Sequence, residues 1–287
     1  MNAWRPTILL ALITLMGGIS RAGVVEETFQ ADAHRVAATV GSAPLPAISV
    51  LVVRPDDGRR HPLALLLHGR GVDENENRRV GRADFPANAR YLAGLGYAVL
   101  IPTRIGYGIT GGPDIEVTGP CQHKSVDRAL KTATLEVADV LDAARAYRWS
   151  DSGRVIAIGD SFGGLIALAL ATHPPRGLKA VINVSGGDGG DSLRHVDQPC
   201  DPAALAATLS TLGRTAQLPA LFLYSRNDRF WGPDWPVGWF EAWQHGGGVG
   251  EFVWLPADKN NGHFIFNRNG PAWQAPASAF LHARGLP

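Results

Sequence analysis

Val155-Ile156-Ala157-Ile158-Gly159-Asp160-Ser161-Phe162-Gly163-Gly164-Leu165-Ile166-Ala167-Leu168 is the stretch that decides the fold of this chain. Its first four residues are a β-branched and apolar run of strand length, and the run starting at Phe162 is an apolar helix. Between them, Gly159-Asp160-Ser161-Phe162-Gly163 fits G-x-S-x-G. As a bare string this is weak, but the strand before it and the helix after it are the context in which a nucleophile elbow belongs. The turn is sharp, and a side chain at either glycine would collide with the neighbouring strand or helix. The serine is then held at the carboxyl edge of a sheet, with the following helix aiming its N-terminus at the site.

Outward from that point, strand-length apolar runs alternate with stretches of helical period. Residues 34–40 and 47–53 read as an initial antiparallel pair, and Pro62–Leu67 as a buried strand ending at His68-Gly69. A helix over 83–95 precedes a strand over Tyr97–Ile101. Residues 103–124 form a glycine-rich loop, and 127–148 an amphipathic helix. Further strands are expected at Arg154–Ile158, Leu178–Val184, Leu218–Tyr224 and 250–255. Helices are expected at Phe162–Thr172, 203–212 behind Asp201-Pro202, 236–244 and 272–284. This alternation predicts βαβ units, hence a mainly parallel sheet with helices on both faces. No internal repeat and no long linker appears, so residues 23–287 are expected to form one domain.

A serine nucleophile needs a base, and the base needs an orienting acid. Asp228 follows the strand Leu218–Tyr224 and His263 follows the final strand, each on a loop at the carboxyl edge. Asp234, six residues later, is the alternative acid. Asp160 sits in the wrong place in the turn to be an aspartyl nucleophile. His68-Gly69-Arg70-Gly71 follows the strand Pro62–Leu67, so the backbone N–H groups of Phe162 and Arg70 are the expected oxyanion donors. Phe230 and Trp231 are candidate pocket residues because they follow Asp228 directly. Arg104, like Arg70, follows a strand at the same edge and is a candidate to bind a substrate carboxylate or phosphate, with salt bridging as the competing role.

The order Ser161, Asp228, His263, with the glycine-rich loop at residues 68–71, resembles the α/β-hydrolase superfamily. Its dienelactone-hydrolase-like branch is the nearest in pattern, through Tyr91-Leu92-Ala93-Gly94-Leu95-Gly96-Tyr97-Ala98-Val99-Leu100 and Arg104-Ile105-Gly106-Tyr107-Gly108. The resemblance covers residues 47–285 and implies an eight-stranded sheet. Dienelactone hydrolases have a cysteine at the elbow. Ser161 in its place implies hydrolysis of a small-molecule carboxylic ester by a serine triad, with no metal and no organic cofactor. A peptidase or amidase would use the same machinery, and a non-catalytic binding protein on the same scaffold is the alternative of a different class.

The 287 residues are 45% hydrophobic and 18% charged, which excludes a disordered chain. With 27 basic and 26 acidic residues and no long run of either sign, the composition gives no footprint for nucleic acid. Residues 1–22 read as a signal peptide: Arg5, an apolar run from Thr7 to Ile19, and Ser20-Arg21-Ala22 as a cleavage site. The run is too short to cross a bilayer of roughly 30 Å, so no stable membrane insertion is expected after cleavage. An exported protein, periplasmic or secreted, is implied. In that compartment Cys121 and Cys200, the only two cysteines, are expected to form a disulfide.

Overall fold

The computed structural model describes residues 23–41 and 44–287; the expected signal peptide lies outside the described residues. In chain order the elements are β1 (Val24–Ala31), α1 (His34–Val40), β2 (Ile48–Pro55), β3 (His61–Leu67), α2 (Glu74–Arg79), α3 (Pro86–Gly94), β4 (Ala98–Thr103) and α4 (Asp127–Ala144). Then come β5 (Ser150–Asp160), α5 (Phe162–Leu170), β6 (Leu178–Val184), α6 (Pro202–Thr215), β7 (Ala220–Ser225), α7 (Trp235–Gly246) and β8 (Gly250–Leu255). A 3₁₀ turn, Gly262–Phe264, leads into α8 (Ile265–Arg268) and α9 (Gly270–His282).

The strands form one eight-stranded sheet in the order β1-β2-β4-β3-β5-β6-β7-β8. β2 runs antiparallel to both its neighbours, and every pair from β4 onward is parallel. Alternation along β3 shows why its sequence is apolar throughout. Leu63, Leu65 and Leu67 pack on one face with α4, α5 and α7, whereas Ala64 and Leu66 pack on the other with α3 and α9. A strand covered on both faces has no polar side, so it reads as a continuous apolar run. The same holds for Val155–Ile158 and for Ala180–Ile182 within β6, and the expected fold class is the one observed.

The first antiparallel pair needs correction. The partner of Ile48–Pro55 is Val24–Ala31, and residues 34–40 are a helix. β1 is an edge strand rich in polar residues (Glu26, Glu27, Thr28, Gln30), so no apolar run marks it. α1 is a short helix with only Val36 buried, closed by Gly41 at φ +63°. It is fastened by Arg35, whose guanidinium pairs with Asp139 and Asp142 on α4. That tertiary tie overrides the β-leaning local composition. β4 also continues through Pro102 to Thr103, with Pro102 opposite Val50 on β2.

All the loops singled out from sequence emerge at the carboxyl ends of β3, β4, β5, β7 and β8. Strands meeting there in parallel bring together residues that are up to 195 positions apart in the chain, from His68 to His263.

Candidate active site

β5 ends at Asp160 and α5 begins at Phe162, leaving Ser161 alone to turn the chain. It does so at φ +55°, ψ −124°, a conformation costing a non-glycine residue on the order of 1–3 kcal/mol. Close packing makes the flanking glycines obligatory. A Cβ on Gly159 would overlap the Gly163 carbonyl, and one on Gly163 would overlap the Leu67 carbonyl at the end of β3.

His263 lies in the 3₁₀ turn after β8, and its Nδ1 is 2.9 Å from Asp228 Oδ2. The other carboxylate oxygen, Asp228 Oδ1, accepts from the backbone N–H of Phe230 at 2.8 Å and of Trp231 at 3.3 Å. Asp228 is wholly buried, so these partners satisfy a charge that water does not reach. With Nδ1–H donating to a carboxylate, the Nε2 lone pair of the neutral ring is free. Burial pulls the His263 pKa down, but the charge and hydrogen bond of Asp228 outweigh it, and the net direction is upward from 6.5. The alternative acid, Asp234, is exposed at the start of α7 and makes no contact with the ring.

Two asparagines that sequence reasoning missed stitch these loops together. Asn261 Oδ1 accepts from the N–H of both His263 and Arg229, at 3.1 Å each. Asn227 accepts from Asp258 N–H at 3.0 Å and donates to the Asp258 and Lys259 carbonyls. Only their position beside Asp228 and His263 could have flagged them. Phe230 stacks on the His263 ring with centroids 4.0 Å apart, and Trp231 meets it edge-on at 5.4 Å. Trp231 is in turn fixed by its indole N–H, which donates to Ser185 O at 2.7 Å.

The loop after β3 lies against the serine: a Cβ on Gly69 would stand 3.0 Å from Ser161 Cβ. The N–H of Gly71 donates to Asn77 Oδ1 and that of Val72 to Glu76 Oε2. Among the described residues, the N–H groups of Arg70 and Phe162 have no partner. Ser161, Phe162, Arg70, Phe230 and Trp231 all line one cavity of about 380 Å³, within the size range of small-molecule sites. In this conformation Ser161 Oγ is not hydrogen-bonded to His263.

Cys121 and Cys200 are joined, Cα to Cα 4.8 Å, and the bridge forms part of the cavity wall. It ties the loop after β4 to the segment after β6. Of the two roles weighed for the arginines, the structure gives both of them salt bridging and not a place against the substrate. Arg70 borders the cavity, but its guanidinium is engaged bidentately with Asp114. Arg104 is fully buried, paired with Glu116 at 2.6 Å, and does not line the cavity. Neither guanidinium is free to receive a substrate anion. Among the described residues no group of three or more His, Cys, Asp or Glu side chains is placed to hold a metal ion.

This architecture is that of the α/β-hydrolases. Residues 47–221 match the family model of the X-Pro dipeptidyl-peptidases, S15, and the chain belongs to that family. No curated protein sequence matches the chain as a relative. Among solved structures, the Pyrococcus horikoshii acylaminoacyl peptidase superposes with a TM-score of 0.60 at 14% identity, covering 91% of this chain and 42% of that one. This chain therefore spans less than half the length of that peptidase. An acetyl xylan esterase from Paenibacillus sp. R4 gives 0.60 at 16% identity, covering 93% and 85% of the two chains. A protein from Klebsiella pneumoniae subsp. pneumoniae, assigned to the dienelactone hydrolases, gives 0.56 at 18% identity, covering 88% and 98%. At these identities the likeness is one of fold.

Proposed function

We propose that the chain is a serine hydrolase that cleaves carboxylic esters of small to medium soluble substrates. The observation that carries this reading is the buried Asp228–His263 pair, whose ring packs against Phe230 and Trp231, residues of the same cavity that Ser161 lines from its strained elbow. In this reading Ser161 Oγ attacks the ester carbonyl as its proton passes to His263 Nε2, forming the Oγ–C bond. Asp228 holds the ring by its Nδ1–H and stabilises the imidazolium. The N–H groups of Phe162 and Arg70 receive the oxyanion. As the tetrahedral species collapses, the C–O bond to the alcohol breaks and His263 returns the proton to the departing oxygen. Water, deprotonated by the same ring, then attacks the acyl-enzyme and frees Ser161 with the carboxylic acid.

Membership of a peptidase family favours a second reading, in which the same groups cleave an amide. The cavity is modest in volume and framed by the disulfide and by Gly187, Gly189 and Gly190, which supports short acyl groups in either case. We also propose that the protein is exported, on the strength of the leader-like residues 1–22 and the Cys121–Cys200 bridge. Among the described residues no helix is long and apolar enough to cross a membrane.

The test is hydrolysis of a chain-length series of p-nitrophenyl esters, and of X-Pro p-nitroanilides, by residues 23–287 and by Ser161→Ala. Ester turnover that disappears in the variant supports the esterase reading; turnover of the anilides alone supports the peptidase. Equal rates in both proteins would remove Ser161 as the nucleophile.

A further inference from the structure

The peptide bond between Gly69 and Arg70 is a planar unit whose C=O and N–H point in opposite directions. Whatever fixes the carbonyl of Gly69 therefore also aims the N–H of Arg70, and that carbonyl is gripped twice. It accepts from His68 Nδ1 at 2.7 Å and from Arg104 Nη2 at 3.2 Å. The neighbouring His68 carbonyl accepts from Arg104 Nη1 at 2.6 Å. His68 Nε2 accepts from the backbone N–H of Arg104 at 3.2 Å, so the ring carries its single proton on Nδ1, where it donates to Gly69 O. Burial, reinforced by the Arg104 charge, holds the His68 pKa well below 6.5, and the ring stays neutral.

Arg104 is itself held. Its Nε and Nη2 meet the two oxygens of Glu116 at 2.6 and 3.1 Å, and Tyr107 donates its hydroxyl to Glu116 Oε2 at 2.6 Å. Arg104 and Glu116 are both completely buried. A buried ion pair is poor value for stability alone, because well-packed apolar residues often do as well or better. This one spends its remaining donors on two consecutive carbonyls of the loop that faces Ser161.

We propose that His68 and Arg104 are positioning residues for the oxyanion site: they hold the Gly69 carbonyl turned into the core, and so hold the Arg70 N–H toward the reacting carbonyl. This rests on the hydrolase reading above. Without the clamp the peptide plane is free to rotate, presenting a carbonyl dipole where the N–H should be. The consequence falls on the transition state, where the oxyanion exists, and not on the bound ester.

The test compares His68→Leu, His68→Asn and Arg104→Lys with wild type, counting turnover per site labelled by a fluorophosphonate so that misfolded protein does not enter the rate. His68→Leu removes the donor to Gly69, and Arg104→Lys keeps a cation for Glu116 but cannot span two carbonyls. Both are expected to lose about 10–100-fold in kcat with KM changed by less than about threefold, since one oxyanion donor is worth roughly 10²–10³ when removed outright. Inhibition by a trifluoromethyl ketone, which forms a tetrahedral oxyanion on the serine, weakens in parallel. His68→Asn places an amide N–H where Nδ1 stands and retains several-fold more turnover than His68→Leu. Wild-type kcat per labelled site in both His68→Leu and Arg104→Lys overturns the inference, as does lost turnover with unchanged ketone affinity. A wild-type protein that takes no fluorophosphonate and turns over no ester overturns the hydrolase reading, and this one with it.

Discussion

Replacing Asp160 with asparagine should stabilise the protein increasingly as pH rises. Asp160 ends β5 directly ahead of Ser161 and is buried, and its Oδ1 has no hydrogen-bond partner. Burial pushes its carboxyl from the ordinary 3.8 up to about 7; the nearby His263 opposes that push and the Asp228 carboxylate adds to it. A group whose pKa is raised by folding contributes its full stability below the unfolded value and loses it as pH climbs through the folded one. A rise of roughly three pH units corresponds to about 4 kcal/mol, at about 1.4 kcal/mol per unit. Asparagine has the same shape and no titration, so the variant is exempt from the loss. At pH 5 the wild type has lost about 1.5 kcal/mol of the total, and by pH 8 nearly all of it. The assay is urea unfolding of both proteins at pH 5, 6, 7 and 8 without reductant. The expected result is a gap in unfolding free energy, midpoint times m-value, that widens by about 2–3 kcal/mol between pH 5 and 8. A gap that stays constant over that range would refute the reasoning, because it would mean the Asp160 carboxyl ionises as readily folded as unfolded.

In the proposed reaction His263 is neutral when it accepts the serine proton, and Asp228 holds its pKa upward from 6.5, so ester turnover should rise with pH through a midpoint above 6.5; a pH–kcat/KM profile measures this. In the same assay Asp228→Asn should lose roughly 10⁴ in kcat, the scale found when a triad acid is replaced by its amide. Gly163→Ala should fail to accumulate as folded protein, since its Cβ would overlap the Leu67 carbonyl. Gly238→Ala, on the exposed side of α7 with open space around it, should gain about 0.5–1 kcal/mol, and circular dichroism with thermal melts distinguishes the two. Removing the disulfide by Cys121→Ser with Cys200→Ser should cost about 4–5 kcal/mol in the chain-entropy model for a span of 79 residues. Denaturant midpoints give the cost, and a thiol count of zero on the unfolded, unreduced wild type gives the bridge.

What could be read from sequence divides along physical lines. Strands buried on both faces announce themselves, and Leu178–Val184 was legible to the residue. The turn at Ser161 was legible because the two glycines and their flanking elements carry its geometry in a few consecutive positions. The same applies to the loop at residues 68–71, and to Asp228 and His263, each following a recognisable strand. The exchange of strand for helix at residues 34–40 arose where local composition and tertiary contact disagree. Nothing near Arg35 reveals that Asp139 and Asp142 will stand opposite it. Arg104 shows the same limit. Its place after a strand was visible, but Glu116 returns to it through a glycine-rich loop whose path has no periodicity to follow. Asn227 and Asn261 were opaque because their work is done through backbone groups, which every residue type possesses.

The layout of the sheet has an outcome for how this molecule could be handled and altered. β1 and β2 occupy one margin, and none of the groups assigned to the reaction or to its support hangs from either. The loops of the proposed reaction issue from β3, β5, β7 and β8, and β4 leads into the proposed brace beneath them. A tether, a fused module or a surface for immobilisation placed along β1 would sit on the far side of β2 from all of that machinery. Chemistry and attachment are thus given separate territories on a single sheet, and a change made in one need not be negotiated with the other.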